Sequence, residues 1–109
     1  MADILTVLTT TGSAEQAEAL ARGAVERRVA ACAQINGPVT SVFRWDGAVR
    51  TEPEWQVLFK TSAVRYGELE AYVRDAHPYD VPEIIATPVT RGSADYLRWV
   101  DEETSAAGT

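Results

Sequence analysis

Residues 77 to 84 read His-Pro-Tyr-Asp-Val-Pro-Glu-Ile, gathering the chain's one histidine, two prolines, a tyrosine and two carboxylates. Imidazole beside carboxylate suits a first-row metal such as copper, zinc or nickel, with His77 as ligand and Asp80 or Glu83 nearby. One histidine is an incomplete set, so symmetry-related copies or neighbouring carboxylates would have to complete the site. The alternative is a histidine that ends a helix, where its protonated ring favours the dipole. On these residues alone the helix-terminal role leads.

Two other side chains could do chemistry. Cys32 stands in the run Val29-Ala30-Ala31-Cys32-Ala33, where a free cysteine usually behaves as a small buried hydrophobe. Nucleophilic catalysis needs an activated nucleophile, a base in reach and an orienting group, and neither Cys32 nor His77 lies in such a motif. No glycine-rich phosphate loop occurs. The case for an enzyme is therefore poor. Lys60 is the one lysine among ten basic residues, in the strand-like run Val57-Leu58-Phe59-Lys60-Thr61. It is either a compact, repositionable ammonium with a task or a lysine snorkelling from a strand end.

The elements that must position these residues follow from hydrophobic period and punctuation. Residues 3 to 10 read as a buried strand. Ser13 and Gln16 form a capping box for a helix with apolar positions Ala17, Leu20, Ala21, Ala24 and Val25, ending near Arg27-Arg28. A strand over 29 to 35 follows, then a bend or bulge at Asn36-Gly37-Pro38. Residues 39 to 45 alternate as a strand, and Asp46-Gly47 is a two-residue hairpin signal. The returning strand runs from Ala48 to Lys60, interrupted near Pro53. Thr61-Ser62 would cap a second helix that stops at His77, because Pro78 disfavours helical geometry before it. A last strand over 83 to 89 and a short helix capped by Ser93 complete the order. This is an α+β, ferredoxin-like βαββαβ sandwich with a long central hairpin, both main helices on one sheet face and a short C-terminal helix. One domain spans residues 1–102, with a flexible tail over 103–109.

Composition excludes several classes. A net charge of −6 opposes nucleic-acid binding, which needs clustered cations. No apolar run approaches the roughly 20 residues of a membrane span. The first residues carry an acid and no basic stretch, unlike a signal peptide, and one cysteine cannot form an internal disulfide. A cytoplasmic setting is expected.

Several stretches coincide in order: Arg27-Arg28-Val29-Ala30-Ala31-Cys32-Ala33-Gln34-Ile35, Ser41-Val42-Phe43-Arg44-Trp45-Asp46-Gly47, Leu58-Phe59-Lys60-Thr61-Ser62, the His77 to Ile85 stretch, and Asp95-Tyr96-Leu97-Arg98-Trp99-Val100. In combination, from about Ile4 to Val100, the chain resembles the CutA family of divalent-cation tolerance proteins. The resemblance implies a ferredoxin-like protomer in a tight homotrimer, similar in architecture to PII signalling proteins. It implies a non-catalytic role in binding or tolerance of divalent metal, copper among them, without an organic cofactor. The long hairpin would then pair with the next subunit, since a free aromatic edge is an aggregation hazard. Val42, Phe43, Trp45, Trp55 and Trp99 would lie at or near that interface.

Carried over by position, His77 is the metal-ligand candidate. The cysteine and second histidine of family members with fuller ligand sets correspond to Thr9 and Ala76 here, so soft thiolate ligation is absent. Lys60, Tyr79 and Glu83 also fall on motif positions. Converging with Trp45, they would make a pocket for a small anion, metal or metabolite. Alternatively, Lys60 and Glu83 form an interface ion pair. A small-ligand sensor and a purely structural or anchoring trimer are the competing functions.

Overall fold

The computed structural model describes residues 3–105. Strand β1 (Ile4–Thr11) leads to helix α1 (Ala14–Glu26), then β2 (Cys32–Trp45) and β3 (Ala48–Ser62). A 3-10 turn (Ala63–Arg65) precedes α2 (Tyr66–Ala76), and β4 (Ile85–Pro88) and α3 (Ala94–Glu103) follow. The strands form one sheet in the order β2-β3-β1-β4, every neighbouring pair antiparallel. This is the expected ferredoxin-like arrangement.

Alternation along β1 divides the interior into two parts. Val7 and Phe59, paired across β1 and β3, face α1 and α2 and are buried with Ala17, Leu20, Ala24, Leu69 and Val73. Ile4, three positions from Val7, faces the opposite side and packs with Ala31 and Val100 under α3. The alanines of α1 let the helix lie close to the sheet. Gly23 lets α2 come closer still, since a Cβ there would sit 2.0 Å from the Tyr72 hydroxyl oxygen.

Several boundaries move, each for a local reason. Ser13 caps α1 as expected, accepting from the Gln16 N–H at 3.1 Å. The strand expected from residue 29 begins instead at Cys32. Arg28 adopts a left-handed φ of 60°, turning the chain so that Val29 and Ala30 are buried beneath α1. The Arg28 guanidinium donates to the Glu102 and Glu103 carbonyls at the end of α3, each at 3.1 Å. The Glu102 carbonyl also accepts from the Ser105 N–H at 3.2 Å, so the guanidinium adds to the cap of a helix end whose last carbonyls lack a full set of helical partners. Thr61 and Ser62 do not cap α2. The Thr61 hydroxyl donates to the Val29 carbonyl at 2.7 Å, Ser62 bonds the Thr104 hydroxyl, and the 3-10 turn intervenes.

The hairpin is longer and more continuous than expected. Asp46 and Gly47 turn it with φ of 52° and 77°, the double positive that a type I′ turn requires. A bulge between Asn36 and Val39 leaves β2 one strand, and Pro53 pairs with Thr40 without breaking β3. Proline is tolerated there because β1 has already ended, at Thr11 opposite Trp55, leaving that flank of β3 unpaired. Strand β4 is shorter than the expected 83 to 89. Thr104, expected in the tail, is 1% exposed and bonded to Ser62, whereas residues 106–109 lie outside the described residues.

Candidate functional site

The early end of β1 creates the site. Residues 48 to 54 of β3 run on beyond it, and the chain leaving α2 passes alongside them. His77 takes an extended conformation, φ −87° and ψ 134°, as its position before Pro78 requires. Between the hairpin and this segment lies a cleft of about 770 Å³, lined among others by Thr10, Phe43, Trp45, Glu54, Tyr79 and Glu83.

His77 forms the cleft's support and is 8% exposed. Its Nε2 lies 2.6 Å from the Thr10 carbonyl oxygen, and its Nδ1 lies 3.2 Å from the Tyr79 amide nitrogen. A carbonyl only accepts and an amide N–H only donates, so the ring is the neutral tautomer with its proton on Nε2. Both nitrogens are satisfied by backbone groups. The ring also meets the Tyr79 ring edge-on, with centroids 4.6 Å apart.

Tyr79 carries the arrangement across the cleft. Its hydroxyl donates to Glu54 Oε2 at 3.0 Å. Burial, followed by the hydrogen bond and charge of Glu54, pushes the phenol up to about 12, so it remains a donor throughout the physiological range. The Glu83 carboxyl is held above its ordinary value by partial burial and then by the charge of Glu54. Neither carboxylate has an ion-pair partner among the described residues. Ion pairs among the described residues join Arg22 to Glu18, Arg65 to Glu68, Arg74 to Glu70 and Arg98 to Asp95.

Tyr79, Glu83, Trp45 and Asp80 therefore meet in one cleft. Within one chain Lys60 does not join them. It sits six positions along β3 from Glu54, about 20 Å at the rise of an extended strand, and its Nζ donates to Gln34 Oε1. No Lys60–Glu83 ion pair occurs among the described residues. Trp55 packs within the chain against the helix-side core and Gly37, whose missing Cβ would stand 2.5 Å from the indole. Val42, Trp45 and Trp99 are exposed at 66%, 48% and 39%, and Phe43 is half-buried.

The remaining candidates add no metal ligand beside His77. Thr9 is fully buried with no hydrogen-bond partner for its hydroxyl, Ala76 is exposed, and Cys32 is a free, half-buried thiol next to Tyr96. Among the described residues no group of three or more His, Cys, Asp or Glu side chains could hold a metal ion. A copper-type ligand set within one chain does not fit these residues. Glu54 and Thr10 went unmarked in the sequence. Glu52 and Glu54, alternating after the Asp-Gly turn, were the available signal for the first, and nothing marked the second.

The comparisons with known proteins agree with the architecture. The family model of the CutA1 divalent ion tolerance protein matches residues 5–103. The chain belongs to the CutA1 divalent ion tolerance family. A protein of Thermus thermophilus named "Divalent-cation tolerance protein CutA" is 42% identical over 98 residues, covering 90% of this chain and 95% of that protein. The solved structure of the "Periplasmic divalent cation tolerance protein CutA" from Archaeoglobus fulgidus superposes with a TM-score of 0.90 at 32% identity, over 94% of this chain and 99% of that one. Some relatives are longer: this CutA1-family chain is 38% identical to a Xenopus laevis "Protein CutA homolog" and spans 57% of its length. No helix among the described residues is long and apolar enough to cross a membrane.

Proposed function

We propose that this chain serves divalent-cation tolerance as a cytoplasmic, non-catalytic homotrimer, and that it binds cations in the hairpin cleft at Glu54 and Glu83. The carrying observation is that these two carboxylates share one cleft with no ion-pair partner among the described residues, and that the charge of Glu54 adds to the cost of ionising Glu83. A cation entering between them relieves that repulsion. Copper coordination through His77 is the less favoured arrangement, because it would break the bonds to Thr10 and Tyr79. Trimer formation is supported by family membership and by the apolar side chains left exposed on the hairpin and α3, notably Val42, Val49, Trp45 and Trp99. A small-ligand sensor is the second reading, favoured by the aromatic share of the same cleft.

Calorimetric titration with copper(II) and manganese(II) tests the site. Binding should persist in His77→Gln and be lost in Glu54→Gln/Glu83→Gln. The reverse pattern would return the site to His77. Light scattering at micromolar protomer concentration should give the trimer mass, and a monomer would remove the oligomeric part.

A further inference from the structure

We infer that the cleft takes an organic cation, an alkylammonium or alkylguanidinium group, in preference to a bare divalent metal ion. The inference rests on the reading of the cleft as a cation site and names the class of cation.

Coordination demand separates the two classes. Calcium takes six to eight oxygen ligands, and magnesium needs a near-ideal octahedron. Glu52 and Asp80 also line the cleft, but among the described residues no three acidic, histidine or cysteine side chains are grouped to hold a metal ion, which falls short of either. An ammonium or guanidinium needs only acceptors for its N–H groups, and two carboxylates with a hydroxyl provide them. Thr10 provides that hydroxyl. The residue lines the cleft at 7% exposure, and its hydroxyl makes no hydrogen bond to any described residue.

The walls favour the same class. Phe43, Trp45 and Tyr79 line the cleft, and aromatic faces attract organic cations while also covering their alkyl chains. A strongly hydrated metal ion gains little from such walls. Tyr79 spends its one O–H on Glu54, fixing one carboxylate oxygen and leaving the other for a ligand.

Charge placement sets a further preference. Arg50 lies four positions from Glu54 toward the turn, about 13 Å along the strand, and also lines the cleft with Arg44. A ligand with a cation at one end and an apolar body places its charge at Glu54 and Glu83. Glu52, two positions and about 7 Å from Glu54 on the same strand face, also lines the cleft, so a short diamine keeps its second charge beside a carboxylate and is not disfavoured.

The test uses n-butylguanidinium chloride added to the uniformly ¹⁵N-labelled full chain, followed through the amide signals of Thr10, Tyr79 and Glu83. Saturable shifts are expected, with affinity falling at least tenfold in Glu54→Gln/Glu83→Gln and severalfold in Thr10→Val. The absence of saturable shifts, or equal affinity in the double variant, would overturn the inference. Loss of the oligomer in the double variant would also overturn it, because the cleft would then be seating a neighbouring copy's side chain. Manganese(II) binding without n-butylguanidinium binding would overturn the inference alone, and binding of neither would remove the cation site as well.

Discussion

Replacing His77 by alanine separates a structural histidine from a metal ligand. The imidazole makes two hydrogen bonds, to the Thr10 carbonyl at 2.6 Å and from the Tyr79 amide at 3.2 Å, in a site 8% exposed. A net hydrogen bond contributes about 1 kcal/mol, and a buried group left without a partner costs about 1–3 kcal/mol. Water can reach Tyr79 more readily than Thr10, so only one full penalty applies. The sum is about 3 kcal/mol for His77→Ala. His77→Gln can restore a donor to Thr10 but not the acceptor for Tyr79, giving about half that loss. Urea denaturation at fixed protomer concentration measures both, since an oligomer's stability depends on concentration. Copper(II) affinity should change little in the glutamine variant, because the cleft carboxylates remain. A cost below about 0.5 kcal/mol for alanine, accompanied by loss of copper binding, would refute the reasoning, since a paired buried ring cannot be removed so cheaply.

The raised Glu83 carboxyl has a defined pH signature. The folded group holds its proton more tightly than the unfolded one, so its contribution to stability falls as pH rises through the window just above 4.5. Denaturation between pH 4 and 7 should show Glu83→Gln gaining on the wild type as pH increases, and parallel curves would exclude the shift. A further prediction concerns Gly23→Ala, which gains about 1 kcal/mol of helix propensity but drives Tyr72 from its place. The displaced ring loses its bond to the Leu20 carbonyl at 3.1 Å and the Arg27 guanidinium 4.7 Å above it. Those losses total about 2 kcal/mol, leaving the variant about 1 kcal/mol less stable. The same change in a Tyr72→Phe background should cost less, which thermal denaturation of the pair would show.

The fold was legible because its signals are local. Asp46-Gly47 demands a turn that few other dipeptides accept, and Ser13 with Gln16 announces the start of α1. The small residues of α1 and the alternation of β1 then leave little choice of packing. Residue 53 misled for a physical reason: proline disrupts a ladder only where a partner strand waits for its N–H, and β1 stops short of that position. The start of β2 was misplaced because a left-handed Arg28 turn leaves no signature in residue type.

The site was only partly legible. Tyr79, Glu83 and Trp45 reach the same cleft because they border one notch in the sheet. Lys60 shares a strand with Glu54 but lies too far along it, a separation that depends on where the register begins. The bonding of His77 could not be read from residue types. Its partners are backbone groups, one of them 67 residues away, and only the folded chain brings Thr10 to the ring.

Electron paramagnetic resonance of the copper(II)-loaded protein addresses the choice of site most directly. With one histidine in the chain, any imidazole nitrogen coupling must come from His77 or its symmetry copies. Oxygen ligation without imidazole coupling, abolished in Glu54→Gln/Glu83→Gln, is the expected spectrum. A nitrogen-coupled signal that disappears in His77→Gln would contradict the cleft assignment and place the metal on the histidine.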